Sequence, residues 1–231
     1  GSSRVVAVDA SSFSAAGQMA DAFVTVPRAD DPRFVPAVLE FARTQQVSSL
    51  IPTIDPELSV YAAARAEFEE AGITPWVSSP KVCAIGGDKW LFNQFCEKHS
   101  IPAPKTVEIG QPGRASLHGP VVAKPRAGSS SVGVRIFACV EEATGAGLPE
   151  DYVLQERSGG DEVTIDFAVG RSGRLLGFSA RQRLEVRAGE VSKAVTLTDP
   201  ELESFLRFLV ENLEGAFGVL NLQVFFDQTS R

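Results

Sequence analysis

A chain of 231 residues that is 44% hydrophobic and 22% charged holds enough apolar side chain to bury one large core or two smaller ones, which excludes a disordered polymer. Its formal net charge of −7 excludes a general nucleic-acid surface, because phosphate backbones require a basic excess on one face. Cys83, Cys96 and Cys139 are odd in number and far apart, which suits neither a disulfide framework nor a zinc ligand set and predicts a reducing, cytoplasmic setting.

No stretch approaches the ~18 apolar residues of a membrane span, and the first residues lack the charged and apolar regions of a signal peptide. Arg4–Asp9 is a short apolar run ending in an acid, the pattern of a buried parallel strand whose carboxyl end opens on a crevice. Ala22–Val26 reads as a second strand. Asp31-Pro32 opens a helix to about Gln45, with Phe34, Val35, Val38, Leu39 and Ala42 on one face. Ser49–Thr53 is a strand that Pro52 should end early. Asp55-Pro56 opens a further helix, with Leu58, Tyr61, Ala62 and Phe68 for the core and Gly72 to close it. Ile73–Val77 follows as a strand, so residues 1–79 are expected to form an open, parallel-stranded α/β domain.

Residues 80–231 differ in character. Lys89–His99 has helical spacing, with Leu91, Phe92, Phe95 and Cys96 available for burial, and Ile101–Pro104 stops it. Runs rich in β-branched and aromatic residues predict strands at 105–109, 119–125, 133–137, 152–156, 161–169 and 174–182, with helices only near 140–146 and 199–213. The last run, Gly218–Asp227, should face Leu220, Leu222 and Val224 one way and Val219, Asn221, Gln223 and Phe225 the other. This half reads as α+β with largely antiparallel sheets.

Lys124 and the loop after it carry chemistry. Gly128 and Gly133 satisfy the first part of a P-loop, but Val134-Arg135 stands where Lys-Ser/Thr is required, so a Walker-type site is excluded. Gly128, Ser129, Ser130, Ser131, Val132 and Gly133 still offer backbone N–H groups and three hydroxyls, suited either to a flap over phosphate oxygens or to a plain hairpin connection. Lys124 would leave its strand with the stem on apolar neighbours and its ammonium either in solvent or facing what the loop covers.

The order of five segments is more informative. Gly86-Gly87-Asp88-Lys89, Ile101-Pro102-Ala103-Pro104, Val122-Ala123-Lys124-Pro125 with its loop, Gln155-Glu156 with Gly160-Asp161-Glu162, and Asn221-Leu222-Gln223 together resemble the ATP-grasp superfamily, in its carbamoyl-phosphate-synthetase-like, carboxylate–amine ligase branch. The resemblance covers nearly the whole chain. It implies a pre-ATP-grasp domain over 1–79 and a two-lobed ATP-grasp domain over 80–231, the lobes at about 105–157 and about 158–231, with ATP between them.

By that resemblance Lys89 and Lys124 hold phosphates, and 128–133 closes over them. The backbone of Gln155, Glu156, Arg157 and Ser158 meets adenine, and Glu162 meets the ribose hydroxyls. Arg181, Arg183 and Lys193 contact substrate or phosphate. Gln223 is the first Mg2+ ligand. The family's opening strand and its last metal-ligand strand are expected to be missing, so that the metal site is incomplete. The implied activity is an ATP-dependent ligase that activates a carboxylate as an acyl phosphate for an amine, with small-molecule partners, no nucleic acid or membrane, and a homodimer as one admissible assembly. Phosphoryl transfer to bicarbonate or carbamate, as in carbamoyl-phosphate synthetase or biotin carboxylase, and a non-catalytic nucleotide-binding module are the alternatives.

Overall fold

The computed structural model describes residues 4–109, 117–128, 132–187 and 190–226. The chain divides into two compact units, Gly1–Cys83 and Ala84–Arg231.

The first unit alternates strand and helix: β1 (Val6–Asp9), α1 (Ala15–Met19), β2 (Ala22–Thr25), α2 (Phe34–Thr44), β3 (Ser49–Leu50), α3 (Asp55–Ala63), α4 (Arg65–Glu70) and β4 (Thr74–Pro75). β1 pairs with β2 and β3 with β4, both in parallel. The strands are parallel as expected, but they form two separate pairs and not one continuous ladder among the described residues. Proline explains the shortness of the second pair: neither Pro52 nor Pro75 has an N–H to extend it, and Trp76 N–H closes it on the Leu50 carbonyl at 2.8 Å. α2 buries Phe34, Val38 and Ala42, the i, i+4, i+8 stripe of its sequence. They meet Tyr61, Ala62, Phe68, Ile73 and Val77 in one cluster. Tyr61 touches both Phe34 and Phe68, at ring-centroid distances of 5.4 and 5.6 Å, so the aromatic contacts join α2 to α3 and α4. The single helix expected over 55–72 is broken at Ala64, which caps α3 and precedes α4. α5 (Pro80–Gly87) spans the boundary between the units.

The second unit opens with α6 (Lys89–Lys98). It buries Phe95 and Cys96 as expected, but also Asn93, whereas Leu91 is exposed. Asn93 is inside because its Nδ2 donates to the Pro104 carbonyl at 3.4 Å. β5 (Thr106–Glu108), β6 (Val121–Pro125), β7 (Arg135–Phe137) and β8 (Tyr152–Glu156) form an antiparallel sheet in the order β5-β8-β6-β7. With α7 (Val140–Gly145) it encloses a core of Val107, Leu117, Val121, Ala123, Phe137, Ala143 and Leu154.

The other sheet contains β9 (Asp161–Val169), β10 (Leu175–Arg187), β11 (Glu190–Leu197) and β12 (Gly218–Phe226), in the order β11-β10-β9-β12, again antiparallel. Asp227, expected to end the last strand, lies outside the described residues. α8 (Pro200–Asn212) packs against β10. Asp199 caps α8 by accepting from Glu201 N–H at 2.9 Å, and Pro200 sits in the first turn, where a missing N–H costs nothing. α8 buries Leu202, Leu206, Leu209 and Val210, and β9 buries Val163, Ile165, Phe167 and Val169. Burial of each such side chain stabilises the unit by about 1.5–3 kcal/mol. The opposite face of this sheet is mixed, carrying Glu162, Thr164, Asp166, Asn221 and Gln223 together with the exposed Val219 and Phe225. Among the described residues no helix is long and apolar enough to cross a membrane, and the three cysteines are free.

Candidate functional site

Asp88 starts the site. It takes extended backbone angles and accepts from Trp90 and Leu91 N–H at 2.8 and 3.2 Å, capping α6 and making Lys89 the first helical residue. A cation there opposes the helix dipole. Burial pushes the Lys89 ammonium below the ordinary lysine range, while the adjacent Asp88 charge pulls the other way. The ammonium donates to the carbonyls of Arg126 and Gly128 at 3.4 and 3.0 Å.

Lys124 comes from β6, between buried Ala123 and Pro125. Its ammonium donates to Gln155 Oε1 at 2.7 Å, and Gln155 Nε2 donates to Thr106 Oγ1 at 2.8 Å, so a relay of neutral groups aims it. Burial first, then the like charge of Lys89, push Lys124 down to about 8, with Glu162 acting in the opposite sense. Neither lysine is ion-paired among the described residues. Two desolvated ammonium groups, with Asp88 and Glu162 near enough to act on them but neither lysine in a salt bridge among the described residues, form a site that a multiply charged anion would relieve.

Glu162 lies on β9, and the register places it on the face of the second sheet opposite its buried core residues. Phe225, Thr164, Asp166, Asn221, Gln223 and Arg181 occupy that same face through the pairs Phe225↔Glu162, Gln223↔Thr164, Asn221↔Asp166 and Arg181↔Thr164. The arginines are not free cations. Arg183, whose side chain is only 12% exposed, is ion-paired to Glu162, and Arg181 is ion-paired to Asp166. Asp166 also accepts from Asn221 Nδ2 at 2.6 Å, tying three neighbouring strands together.

The remaining expected residues fall in different settings. The loop is anchored at its far end, where Tyr152 Oη donates to the Gly133 carbonyl at 3.1 Å. Gly133 has φ +76°, and a Cβ there would lie 2.5 Å from Tyr152 Oη, so only glycine fits. Gly128 has φ +105° and Val132 is exposed. Ser129, Ser130 and Ser131 lie outside the described residues. In the segment expected to meet adenine, Glu156 N–H donates to the Lys105 carbonyl at 2.9 Å and Arg157 N–H to the Pro120 carbonyl at 3.0 Å. The Glu156 carboxylate accepts from His118 N–H at 3.0 Å. Lys193 faces Glu185 across the hairpin at 2.8 Å with its side chain 69% exposed, because register shifts after Arg183 bring those two residues opposite each other.

Gln223 is exposed, so its amide is available as an oxygen donor. Magnesium prefers carboxylates. Among the described residues there is no group of three or more His, Cys, Asp or Glu that could hold a metal ion, and the nearby carboxylates of Glu162 and Asp166 are committed to arginines. A magnesium ion would thus be held largely by the phosphates of its nucleotide, with Gln223 as an exposed oxygen donor on this face, and the lysines fit a polyphosphate.

Sequence reasoning missed Arg126, Glu108 and Asp166. Arg126 holds Asp88 and Glu108 at 2.6 Å each. Asp166 had a legible signal, since it lies four residues beyond Glu162 on a strand and so shares its face. Arg126 had none, its partner Asp88 being 38 positions away.

Known families resemble this chain over both of its units. The family model described as "ATP-grasp domain" matches residues 86–226, and that of the "PylC-like, N-terminal domain" matches residues 1–76. A phosphoribosylamine–glycine ligase of Listeria innocua serovar 6a is 30% identical over 149 residues, which are 61% of this chain and 34% of that protein. The biotin carboxylase domain of the Hydrogenobacter thermophilus 2-oxoglutarate carboxylase, solved as a dimer with MgADP, ADP and bicarbonate, superposes with a TM-score of 0.73 at 18% identity, covering 99% of this chain and 56% of that one. The N5-carboxyaminoimidazole ribonucleotide synthetase of Thermotoga maritima superposes with a TM-score of 0.68 at 19% identity, covering 99% and 59%. The chain thus spans about a third of the curated relative, and under two thirds of these solved chains.

Proposed function

The chain belongs to the ATP-grasp family, and from that premise we propose that it serves an ATP-dependent ligase that joins a small carboxylate to an amine. The observation that carries this reading is the pair of half-buried ammonium groups, Lys89 and Lys124, aimed by neutral oxygens and held outside any salt bridge among the described residues. They would bind the phosphates of ATP, and Glu162 would take the ribose hydroxyls.

ATP supplies the phosphoryl group that turns the carboxylate into an acyl phosphate, with ADP as the leaving group. The amine nitrogen then forms its bond to the acyl carbon as the carbon–oxygen bond to phosphate breaks, releasing inorganic phosphate and a proton. The protein's contribution is electrostatic and positional. Lys89 and Lys124 stand where charge develops on the transferring group. Arg181, tied to Asp166, keeps a guanidinium on the same face for a substrate carboxylate or acyl phosphate. Gln155 orients Lys124. No local nucleophile is required. Magnesium would accompany the nucleotide, with Gln223 as its side-chain oxygen donor. The curated relative named as a ligase supports the reaction class.

The test is a hydroxylamine trap. With ATP and a panel of amino acids and other carboxylates, an acyl phosphate is converted to a hydroxamate, and ADP forms in equal amount. Hydroxamate from a carboxylate would support the ligase. ADP formed only with bicarbonate would support carboxylation, and nucleotide binding without ADP would support a non-catalytic module.

A further inference from the structure

The positions of the Lys89 and Lys124 ammonium groups depend on two separate segments, the start of α6 and the end of β6. Arg126 joins them. Its Nη2 donates to Asp88 Oδ2 at 2.6 Å, its Nε lies 3.1–3.2 Å from both Asp88 oxygens, and its Nη1 donates to Glu108 Oε1 on β5 at 2.6 Å. Its main chain adds to the joint. The Arg126 carbonyl accepts from Lys89 N–H at 3.0 Å and from the Lys89 ammonium at 3.4 Å, and Arg126 N–H donates to the Asp151 carbonyl at 2.8 Å. Asp88 is at the same time the cap of α6. One guanidinium therefore ties three segments, and its rigid fork suits two carboxylates at once, as a point-like ammonium does not.

We propose that Arg126 is a positioning residue that clasps α6 to β6 through Asp88 and so sets the spacing of Lys89 and Lys124 for a polyphosphate. The inference rests on the phosphate-binding role proposed for the two lysines. Like charges held close tend to move apart, and both lysines have flexible stems, so the separation must come from the backbones. A purely structural role predicts something else. The three charged side chains are only 23–30% exposed, so loosening the fork also lowers stability, but a loss of stability alone weakens ATP and adenosine alike, whereas small displacements of phosphate-binding groups weaken polyphosphates selectively.

The test uses Arg126→Lys, which keeps the charge and loses the fork, and Asp88→Asn, which keeps a capping side chain and loses the ion pair. Calorimetry compares ATP, tripolyphosphate and adenosine, and NMR follows the titration of Lys124. The expected result is that ATP and tripolyphosphate bind about tenfold or more weakly, adenosine binds within about twofold, and the Lys124 titration moves up as Lys89 withdraws. Equal weakening of ATP and adenosine, unchanged ATP affinity, or an unmoved Lys124 titration would each overturn the proposal. If Arg126→Lys does not fold, Asp88→Asn decides. Lys124→Met separates the two ideas: ATP affinity intact in that variant sinks the phosphate role itself, whereas loss there with no change in Arg126→Lys sinks only the clasp.

Discussion

Replacing Lys124 with methionine removes one of two crowded ammonium groups while keeping the length and apolar character of the stem. The folded protein holds this lysine at about 8, against 10.5 for an ordinary lysine, through burial first and then the charge of Lys89, with Glu162 opposing. That difference corresponds to about 3 kcal/mol by which the fold disfavours the charged form at pH 7. Methionine relieves the penalty but forfeits the charge-assisted hydrogen bond to Gln155, which contributes about 1.5–3 kcal/mol. The ligand-free variant should thus be as stable as the wild type at pH 7, or more stable by about 1 kcal/mol. The pH dependence is sharper. The folded pKa is depressed, so the unfolded chain binds more protons between pH 8 and 10.5, and wild-type stability rises with pH through that window. Relative to the methionine variant, the wild type should gain about 3 kcal/mol between pH 7 and 10.5. Urea denaturation of both proteins across this range measures it, and the titrating groups not coupled to Lys124 cancel in the comparison. With saturating ATP at pH 7 the order reverses, because only the wild type is stabilised by the nucleotide. Parallel pH profiles, or equal stabilisation by ATP, would refute the reasoning.

A polyphosphate should restore the proton to Lys124, so ATP binding at pH 8 should take up about half a proton, read by calorimetry in buffers of different ionisation enthalpy. If Glu162 takes the ribose hydroxyls, 2′-deoxy-ATP should bind about 5–10-fold more weakly than ATP, and Glu162→Gln should narrow the gap; binding assays with both nucleotides decide it. Gly133→Ala imposes a side chain at φ +76° against Tyr152 Oη 2.5 Å away, so it should cost about 1–3 kcal/mol, seen as a lower Tm. Leu206→Ala empties a fully buried position on α8 and should cost about 2–5 kcal/mol in denaturant unfolding.

Periodicity made the fold class legible. The alternation of Val163, Ile165, Phe167 and Val169 and the spacing of Leu202, Leu206 and Leu209 each name a buried face, because a strand repeats every two residues and a helix every 3.6. The order of the five segments named the ATP-grasp family, to which residues 86–226 belong. Local signals of this kind say which side of an element is dry. They do not say which charges meet. Arg181 and Arg183 read as available cations, yet the β9–β10 register gives each an acid from the neighbouring strand. The sequence also does not show that the N–H groups of Glu156 and Arg157 meet the carbonyls of Lys105, just before β5, and Pro120, just before β6. Arg126 carried no local mark at all, because its partner Asp88 lies on another element. Electrostatic pairing depends on distances of a few ångströms between residues remote in sequence, and only the packed sheets set those distances.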